Sequence, residues 1–368
     1  MKLTCDINVR HLTRVEGHGN IRIVIKAGKV LEAHWDIVET PRFFEAILKG
    51  KAWDNAPWLC GRICGICSIG HTLASIRAIE NCFEIIPSPQ TANLRLLLKH
   101  FETLQSHLLH LYFLAAPDFL GTGSVFPLIK SHPEEIQRAA RLKLLANDGG
   151  DIVGGRRLHP TRTVVGGFTM LPDQKELASL RQRLELAVED LKQTAALFQT
   201  FDIPVFSRET EFVSLKSSDR YPFIGGDLIS SDGVTKNESQ YLEMTNEYLV
   251  DHSTSKWSRL SREAFAVGAL ARLNNNYRQL HQPARDLAES FGLSPVNHNP
   301  FMNNIAQLVE CQHVVLDAIQ IIDILLGANY TEPRTPVVVK AGQGVGAVEV
   351  PRGILYHAYD IDGHGRII

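Results

Sequence analysis

Hydrophobic and polar positions change their periodicity twice along the chain, which predicts a helical middle between two β segments. Over residues 20–37, apolar and polar residues alternate on either side of Ala27, Gly28 and Lys29, a pattern typical of a β-hairpin. A helical repeat then dominates as far as residue 327. It predicts helices over about 42–50, 70–86, 89–115, 133–147, 174–199, 237–251, 257–290 with a break, and 300–327.

β-type alternation returns from residue 335 to the last residue, with a turn at Asp362-Gly363-His364-Gly365. Residues 230–239 are the clearest polar loop, and the sequence shows no internal repeat. We therefore expect a mainly α fold with small β elements, forming a single domain over residues 1–368. Its parts would be a hairpin at about 20–37, a helical core at about 42–327 and a β-rich end at about 335–368.

Composition and charge exclude several classes of function. Hydrophobic residues make up 44% of the chain, enough for a large core. The formal net charge is −2 and no long run of Lys or Arg occurs, so no nucleic-acid partner is expected. The charged N-terminus lacks an apolar signal region, and two Asp interrupt the most apolar stretch at 313–328. Neither a signal peptide nor a membrane span is therefore expected.

The stretch RICGICSIGH, residues 62–71, carries the strongest chemical signal. Cys64 and Cys67 precede a predicted helix, and the helix N-terminus together with Arg62 favours thiolates, which bind soft metals. Cys67 and His71 are four residues apart and share a helix face if the helix begins at the second cysteine. The alternative without a metal is a packed pair or a local disulfide, although six cysteines with this crowding do not suggest a secreted framework.

Two metal-site types fit only part of this stretch. A structural zinc site needs two more closely spaced ligands, and the sequence has no second CxxC and no HxxxH. Cys60, Cys64 and Cys67 spell CxxxCxxC, the spacing of radical S-adenosylmethionine enzymes that hold an iron–sulfur cluster. Those enzymes need a barrel of alternating strands and helices and usually an aromatic residue before the third cysteine, where this chain has Ile66.

Five stretches taken together resemble the large, catalytic subunit of nickel–iron hydrogenases. They are RICGICSIGH (62–71), TRVEGHG (13–19), PRFFEAILKGK (41–51), GGRRLHPTRTVVGG (154–167) and EVPRGILYH (349–357). Two further stretches, HLLHLYFLAAPDFLG (107–121) and YHAYDIDGHG (356–365), look most similar to the cytoplasmic multi-subunit group. The resemblance implies a hydrogenase large-subunit-like helical bundle. It also implies reversible heterolytic cleavage of H₂, with the electrons passing to an iron–sulfur small subunit, then to further flavin or iron–sulfur subunits.

The resemblance also implies roles at the metal centre. Cys64 would be a terminal nickel ligand, and Cys67 would bridge nickel to an iron that carries cyanide and carbon monoxide. His71 would hydrogen-bond the sulfur of Cys67. Glu16 would take a proton from a terminal cysteine, although taken alone it would more ordinarily form a salt bridge with Arg14 or Arg10.

Further residues follow from the same resemblance. Arg352 would overhang the open coordination site, and it would act together with Asp118, for which a helix-cap role is the alternative. Arg62 and Pro351 would contribute to the cofactor-binding surface. Glu45 would belong to a structural Mg²⁺ or Fe²⁺ site, with a solvated surface charge as the alternative.

One element of the resembled family does not occur in these 368 residues. The family completes its metal site with a second cysteine pair in a DPCxxC motif near the C-terminus, and the sequence has no such motif. We expect the chain to be truncated relative to the family, because the other site residues are present, with a degenerate homologue as the alternative. A radical enzyme and a non-catalytic scaffold of a redox complex, like the hydrogenase-derived subunit of respiratory complex I, also stay open as functions.

Overall fold

The computed structural model describes residues 3–328, 330 and 333–368, and it contains helices and short strands in the following order. The helices are α1 (Phe43–Leu48), α2 (Ala56–Cys60), α3 (Ser68–Phe83), α4 (Pro89–Leu108), α5 (Ala116–Phe119), α6 (Leu128–Ser131), α7 (Pro133–Gly154), α8 (Gln174–Gln199), α9 (Tyr241–Thr245), α10 (Ala269–Asn276), α11 (Gln282–Ser290) and α12 (Asn303–Gly327). The strands are β1 (Cys5–Val9), β2 (Gly19–Lys26), β3 (Lys29–Ile37), β4 (Thr163–Val164), β5 (Gly167–Phe168), β6 (Glu211–Lys216), β7 (Asp227–Ser230), β8 (Thr235–Asn237), β9 (Phe265–Ala266), β10 (Gly342–Val350) and β11 (Gly353–Ile361).

The main hydrophobic core lies between the long helices. Helix α4 packs against α7 and α12, and α12 packs against α8. Their leucine-rich faces supply most of the buried side chains of this core. Helix α12 is buried along most of its length, which accounts for the apolar stretch in the sequence. In the described part of the chain, no helix is both long and apolar enough to cross a membrane.

Besides this helical core, the described residues contain four small sheets. Strands β1, β2 and β3 form an antiparallel sheet, and β10 and β11 form a long hairpin. A four-stranded sheet has the order β8-β7-β6-β9, in which β6 and β9 are parallel. The last sheet consists of β4 paired with β5. The expected mainly α fold is therefore confirmed, and strands are found at both predicted β segments.

The sequence prediction was wrong in three places. The helix predicted from residue 257 begins only at Ala269, and strand β9 lies within the part that is not helical. Residues 237–251 form only the short helix α9, which ends because Asn246 adopts a left-handed conformation at φ 42°. The polar stretch 230–239 contains strand β8 as well as a loop, because Asp232 and Gly233 form a tight turn that pairs β7 with β8. Helix α9 and strand β8 are both too short to show a hydrophobic periodicity in the sequence.

Strand β10 lies unusually close to α3 and runs antiparallel to it. A Cβ atom added to Gly344 would lie 2.0 Å from the carbonyl oxygen of Ala78, and one added to Gly346 would lie 2.4 Å from that of Ala74. Near the other end of the strand, a Cβ on Gly70 of α3 would lie 2.3 Å from Val350. The end of β10 therefore reaches the N-terminal end of α3.

Replacing Gly346 by Ala should destabilise the fold. The added methyl has no space between the backbones of β10 and α3, so we expect a loss of about 1–3 kcal/mol in the free energy of unfolding, measured by chemical denaturation. Gly363→Ala is the matched control, because a Cβ there meets nothing within 4 Å. Equal stability of the two variants would contradict this packing.

Candidate active site

Cys64 and Cys67 lie side by side where α3 begins, as the sequence predicted. Cys67 occupies the position before the first helical residue, and its backbone N–H donates to the sulfur of Cys64 at 3.3 Å. A hydrogen bond from the Cys67 thiol and backbone N–H groups lower the pKa of Cys64 to about 7. The same hydrogen bond, burial and the Glu102 carboxylate raise the pKa of Cys67. Cys64 is therefore the better thiolate of the pair.

A carboxylate and a guanidinium stand beside Cys64. The sulfur of Cys64 lies 3.7 Å from Oε1 of Glu16, and Oε2 of Glu16 lies 3.5 Å from Nη2 of Arg352. Arg352 also donates through Nη1 to the hydroxyl of Ser106 on α4 at 3.1 Å. Glu16 is thus held on one side by Arg352 and faces the thiol with its other oxygen. The alternative of a salt bridge to Arg14 is not formed.

Asp118 has a different partner from the one expected. Its carboxylate accepts two hydrogen bonds from Arg14, at 3.2 and 3.0 Å, and this contact raises the pKa of Arg14. The structure shows no hydrogen bond or ion pair between Asp118 and Arg352, and their joint action at the open coordination site stays a prediction. The helix-cap role is not seen either, because Asp118 lies inside α5. The two arginines and Asp118 act electrostatically on His110, so all four groups border one region.

His71 is buried and held by a chain of hydrogen bonds. Its Nδ1 lies 3.2 Å from Nε2 of His357, whose Nδ1 lies 2.9 Å from the hydroxyl of Tyr359. Tyr359 in turn donates to Ser75 at 2.8 Å and lies 3.2 Å from the sulfur of Cys60. Burial lowers the pKa of His71 to about 4, so the ring is neutral near pH 7.

Two consequences follow from this chain. His71 uses Nδ1 for His357, so Nε2 is the ring atom left for the predicted bond to the Cys67 sulfur. The two residues are joined through the backbone, with His71 N–H donating to the Cys67 carbonyl at 3.1 Å. Cys60 is buried against Tyr359 and is not grouped with Cys64 and Cys67 as a metal-ligand set in the described residues. The arrangement does not support a cluster held by three cysteines.

A buried ionic network fixes the turn that carries Arg352. The guanidinium of Arg272 is fully buried and forms two hydrogen bonds to Glu310, at 2.6 and 2.7 Å, and one to Glu349 at 3.0 Å. It also donates to the carbonyl oxygens of Val350, Pro351 and Gly353, at 2.8, 3.4 and 3.4 Å. The buried cation therefore defines the path of the chain on both sides of Arg352.

The carboxylates of this network differ in protonation. Burial would raise the pKa of Glu310, but Arg272 and a hydrogen bond from His107 outweigh it and hold that pKa well below its usual range. Burial raises the pKa of Glu349 to about 7 against the opposing effect of Arg272. Tyr221 also donates to Glu310, at 2.7 Å. Arg272 therefore helps to keep Glu310 ionised, whereas it offsets only part of the effect of burial on the pKa of Glu349.

Sequence analysis did not identify this network. A signal was present for Glu310, which interrupts an apolar helix, and for Glu349, which lies two residues before Pro351 in the stretch EVPRGILYH. Charged residues at such apolar positions are almost never fully buried without a partner. Arg272 carried a weaker signal: its nearest neighbours in α10 are apolar, but three asparagines follow them.

The remaining predicted residues lie around the site or away from it. Arg62 is exposed, and Pro351 is buried with its carbonyl facing Arg272. His159, from the stretch GGRRLHPTRTVVGG, packs on the loop between α2 and α3 that contains Cys64 and Cys67. Its ring donates there to the carbonyl of Gly61 at 2.9 Å. Glu45 forms an exposed ion pair with Lys256 at 2.7 Å, and in the described residues it belongs to no group of three metal-ligand side chains.

Comparison with known proteins gives a consistent result. A family model described as nickel-dependent hydrogenase matches residues 42–142, and a HoxL-like model matches residues 6–40. The alpha subunit of sulfhydrogenase 1 from Pyrococcus furiosus is 35% identical, covering 99% of this chain and 86% of the relative. A vhu-type subunit of the F420-non-reducing hydrogenase from Methanococcus voltae is 29% identical, covering 98% and 92%.

A solved structure shows the same fold. The crystal structure of an NAD⁺-reducing [NiFe]-hydrogenase in the H₂-reduced state has a TM-score of 0.88 and 26% sequence identity to this chain, covering 99% of this chain and 87% of that one. The similarity of fold therefore extends over nearly the whole chain.

The raised pKa of Glu349 predicts a pH-dependent contribution to stability. Folding raises this pKa from an ordinary 4.5 to about 7, so the contribution is complete below pH 4.5 and is lost as the pH rises through about 7. The melting temperature of the wild type should therefore fall, relative to that of Glu349→Gln, between pH 5 and pH 8. Glu32→Gln, an exposed control, should follow the wild type. Parallel pH profiles for wild type and Glu349→Gln would contradict the buried, partly compensated carboxyl.

Proposed function

Because the chain belongs to the nickel-dependent hydrogenase family, as the large, catalytic subunit of a nickel–iron hydrogenase, we propose that Cys64 and Cys67 hold one side of its metal centre and that Glu16 receives the proton from Cys64. The observation that carries the proposal is the position of Glu16. One of its oxygens lies 3.7 Å from the Cys64 sulfur while Arg352 holds the other.

The two cysteine ligands that this chain supplies, Cys64 and Cys67, fit one half of the ligand set of a nickel–iron centre. Two thiol sulfurs stand together at a helix N-terminus, and thiolates are the soft donors that nickel and iron take in such sites. The second cysteine pair that the resemblance predicts does not occur in the 368 residues. When bound, the centre supplies the electrophile that polarises H₂, and we propose that its iron carries cyanide and carbon monoxide.

The residues around Cys64 form a short proton path. Cys64 is the more acidic thiol, so its sulfur can accept a proton near neutral pH and release it again. Glu16 is the carboxylate next to it and would take that proton. Arg352, fixed by Ser106 and by the turn that Arg272 holds, keeps the Glu16 carboxylate aimed at the sulfur.

His71 would tune the other sulfur. Its neutral ring is fixed on the Nδ1 side by His357, and we propose that its Nε2 side hydrogen-bonds the sulfur of Cys67. Such an outer hydrogen bond orients a metal ligand and adjusts its basicity. His357 and Tyr359 would act only through His71, as positioning residues.

Partner subunits would carry the electrons. The described cysteines other than Cys5 and the Cys64–Cys67 pair are buried and belong to no group of three metal-ligand side chains. We therefore propose that the electrons pass to an iron–sulfur small subunit, then to further flavin or iron–sulfur subunits. The names of the relatives as subunits of larger hydrogenases support this assembly. We also propose a cytoplasmic location, from the resemblance to the cytoplasmic group. The structural Mg²⁺ or Fe²⁺ at Glu45 stays a prediction.

Two alternative functions are less well supported. A radical S-adenosylmethionine enzyme would need Cys60 in the ligand set, whereas the sulfur of Cys60 is hydrogen-bonded to the hydroxyl of Tyr359. A non-catalytic scaffold would have no use for a carboxylate held between a guanidinium and a reactive thiol. The arrangement of Glu16, Cys64 and Arg352 therefore favours catalysis.

Replacing Glu16 by Gln should block proton transfer while leaving the fold intact. General acid–base groups contribute about 10²–10⁴-fold, so we expect H₂-dependent activity and H₂/D₂O isotope exchange of the matured, partnered enzyme to fall by about that factor. Glu32→Gln on β3 is the control and should retain both activities. If Glu16→Gln retains full isotope exchange, Glu16 is not the proton acceptor.

Replacing Cys64 by Ser should remove nickel from the matured, partnered enzyme. The thiolate is lost and a serine oxygen is a poor ligand for a soft metal, so elemental analysis should find nickel near background. Cys82→Ser alters a cysteine that faces the Lys340 carbonyl and should keep the wild-type nickel content. Equal nickel in both variants would rule out Cys64 as a ligand.

A further inference from the structure

A second group of metal-ligand side chains lies outside the active site. His34 and Asp36 belong to β3, and His252 comes from the segment between α9 and β9. One ligand atom from each residue can be chosen so that all three lie within 4.8 Å of one another. Across the described residues, no other set of three His, Cys, Asp or Glu side chains is this compact.

The local structure explains why these side chains meet. His34 and Asp36 are two residues apart on a strand, so they point to the same face of the sheet. The segment that follows His252 is attached to the end of the same strand, since the Ile37 backbone N–H donates to the Ser253 hydroxyl at 3.3 Å and the Thr254 N–H donates to the Ile37 carbonyl at 3.0 Å. The position of His252 beside β3 is therefore fixed by the contacts that Ser253 and Thr254 make with Ile37.

The rings of the two histidines are held in place. His34 and His252 stack with their centroids 4.4 Å apart and their planes 25° apart. The indole of Trp257 packs edge-on against His252 at 5.3 Å. Both imidazoles are therefore oriented before any ligand arrives, which lowers the entropic cost of binding one.

Two polar atoms of the group are buried without a hydrogen-bond partner. They are Oδ1 of Asp36 and Nε2 of His252, which come from segments far apart in the sequence. A buried polar atom without a partner costs free energy, and native proteins rarely leave such atoms unsatisfied. A cation between them would satisfy a carboxylate oxygen and an imidazole lone pair together.

The neighbouring groups on this face are already engaged. Arg22 lies opposite His34 in the register of β2 and β3, and its guanidinium is near Asp6 and Glu32, at 3.6 and 3.9 Å. Asn20 lies opposite Asp36, and its side-chain oxygen accepts a hydrogen bond from the His11 backbone at 3.0 Å, while its amide N–H does not donate to Oδ1 of Asp36. Neither neighbour supplies the missing partner for Asp36.

We propose that His34, Asp36 and His252 bind one divalent transition-metal ion, of which Zn²⁺ is the representative. Two imidazole nitrogens and one carboxylate oxygen are a donor set that Zn²⁺ takes, with water in the fourth position. The ion clamps the segment around residues 252–257 onto the N-terminal three-stranded sheet. It is a structural site and does not depend on the proposed proton path.

The first experiment measures zinc stoichiometry in the untagged, matured enzyme. Wild-type enzyme and variants are equilibrated with a buffered low concentration of free Zn²⁺, separated from unbound metal and analysed for zinc. The wild type should carry one more zinc per large subunit than His252→Gln or Asp36→Asn. His364→Gln alters an exposed histidine in the terminal turn, outside the group, and should match the wild type.

Two further measurements locate the ion and guard against misfolding. Crystals soaked in ZnCl₂ should show an anomalous zinc peak between the three side chains, and Zn²⁺ should raise the melting temperature of the wild type but not of the variants. Without zinc, the variants should melt near the wild type and keep H₂-dependent activity. If His252→Gln does not fold, Asp36→Asn, which preserves shape, decides the test.

The proposal is overturned by any of three results. These are equal zinc content in wild type and a folded variant, an anomalous peak only elsewhere, or a zinc-dependent rise in melting temperature that persists in the variants. Loss of activity in Glu16→Gln or Cys64→Ser has no bearing on it, so failure of the proposed function and failure of this site can be told apart.

Discussion

The close antiparallel packing of β10 on α3 is the constraint on which the active site depends. Gly344 and Gly346 have no side chains, so the strand backbone lies directly against the helix backbone. This contact carries the end of β10 to the N-terminal end of α3, where Cys64 and Cys67 are. As a result, His71 and His357 meet although they are 286 positions apart in the sequence. A bulkier residue at Gly344 or Gly346 would displace the end of β10 and the turn that carries Arg352.

The buried guanidinium of Arg272 completes this arrangement from the other side. It binds Glu310 of the core helix, Glu349 of the strand and the carbonyls on both sides of Arg352. A buried charge tolerates little displacement, because an ion that loses its partner in a low-dielectric interior is strongly destabilised. The position of Arg352, and with it the orientation of Glu16, is therefore fixed by interactions outside the site.

Part of the fold and of the site could be predicted because the signals are local. Spacing and helical position identified the Cys64–Cys67 pair, and periodicity identified the terminal β segments and the long helices. The prediction of a helix over residues 237–251 was wrong because Asn246 ends it, with its side-chain amide bonded to the carbonyls of Glu243 and Arg259. The ion pair between Asp118 and Arg14 could not be predicted, because several arginines could reach Asp118 and the sequence does not rank them.

The sequence by itself determined the elements and the reactive groups: a hairpin, long amphipathic helices, and two cysteines at a helix start. These are properties of short stretches, set by backbone geometry and by the chemistry of each side chain. Only the tertiary structure decided that Arg352 pairs with Glu16, that Arg14 pairs with Asp118, and that His252 joins the two ligand-type residues of β3. These pairs join side chains from segments that are distant in the sequence, so they form only when the packing of the whole chain brings those segments together.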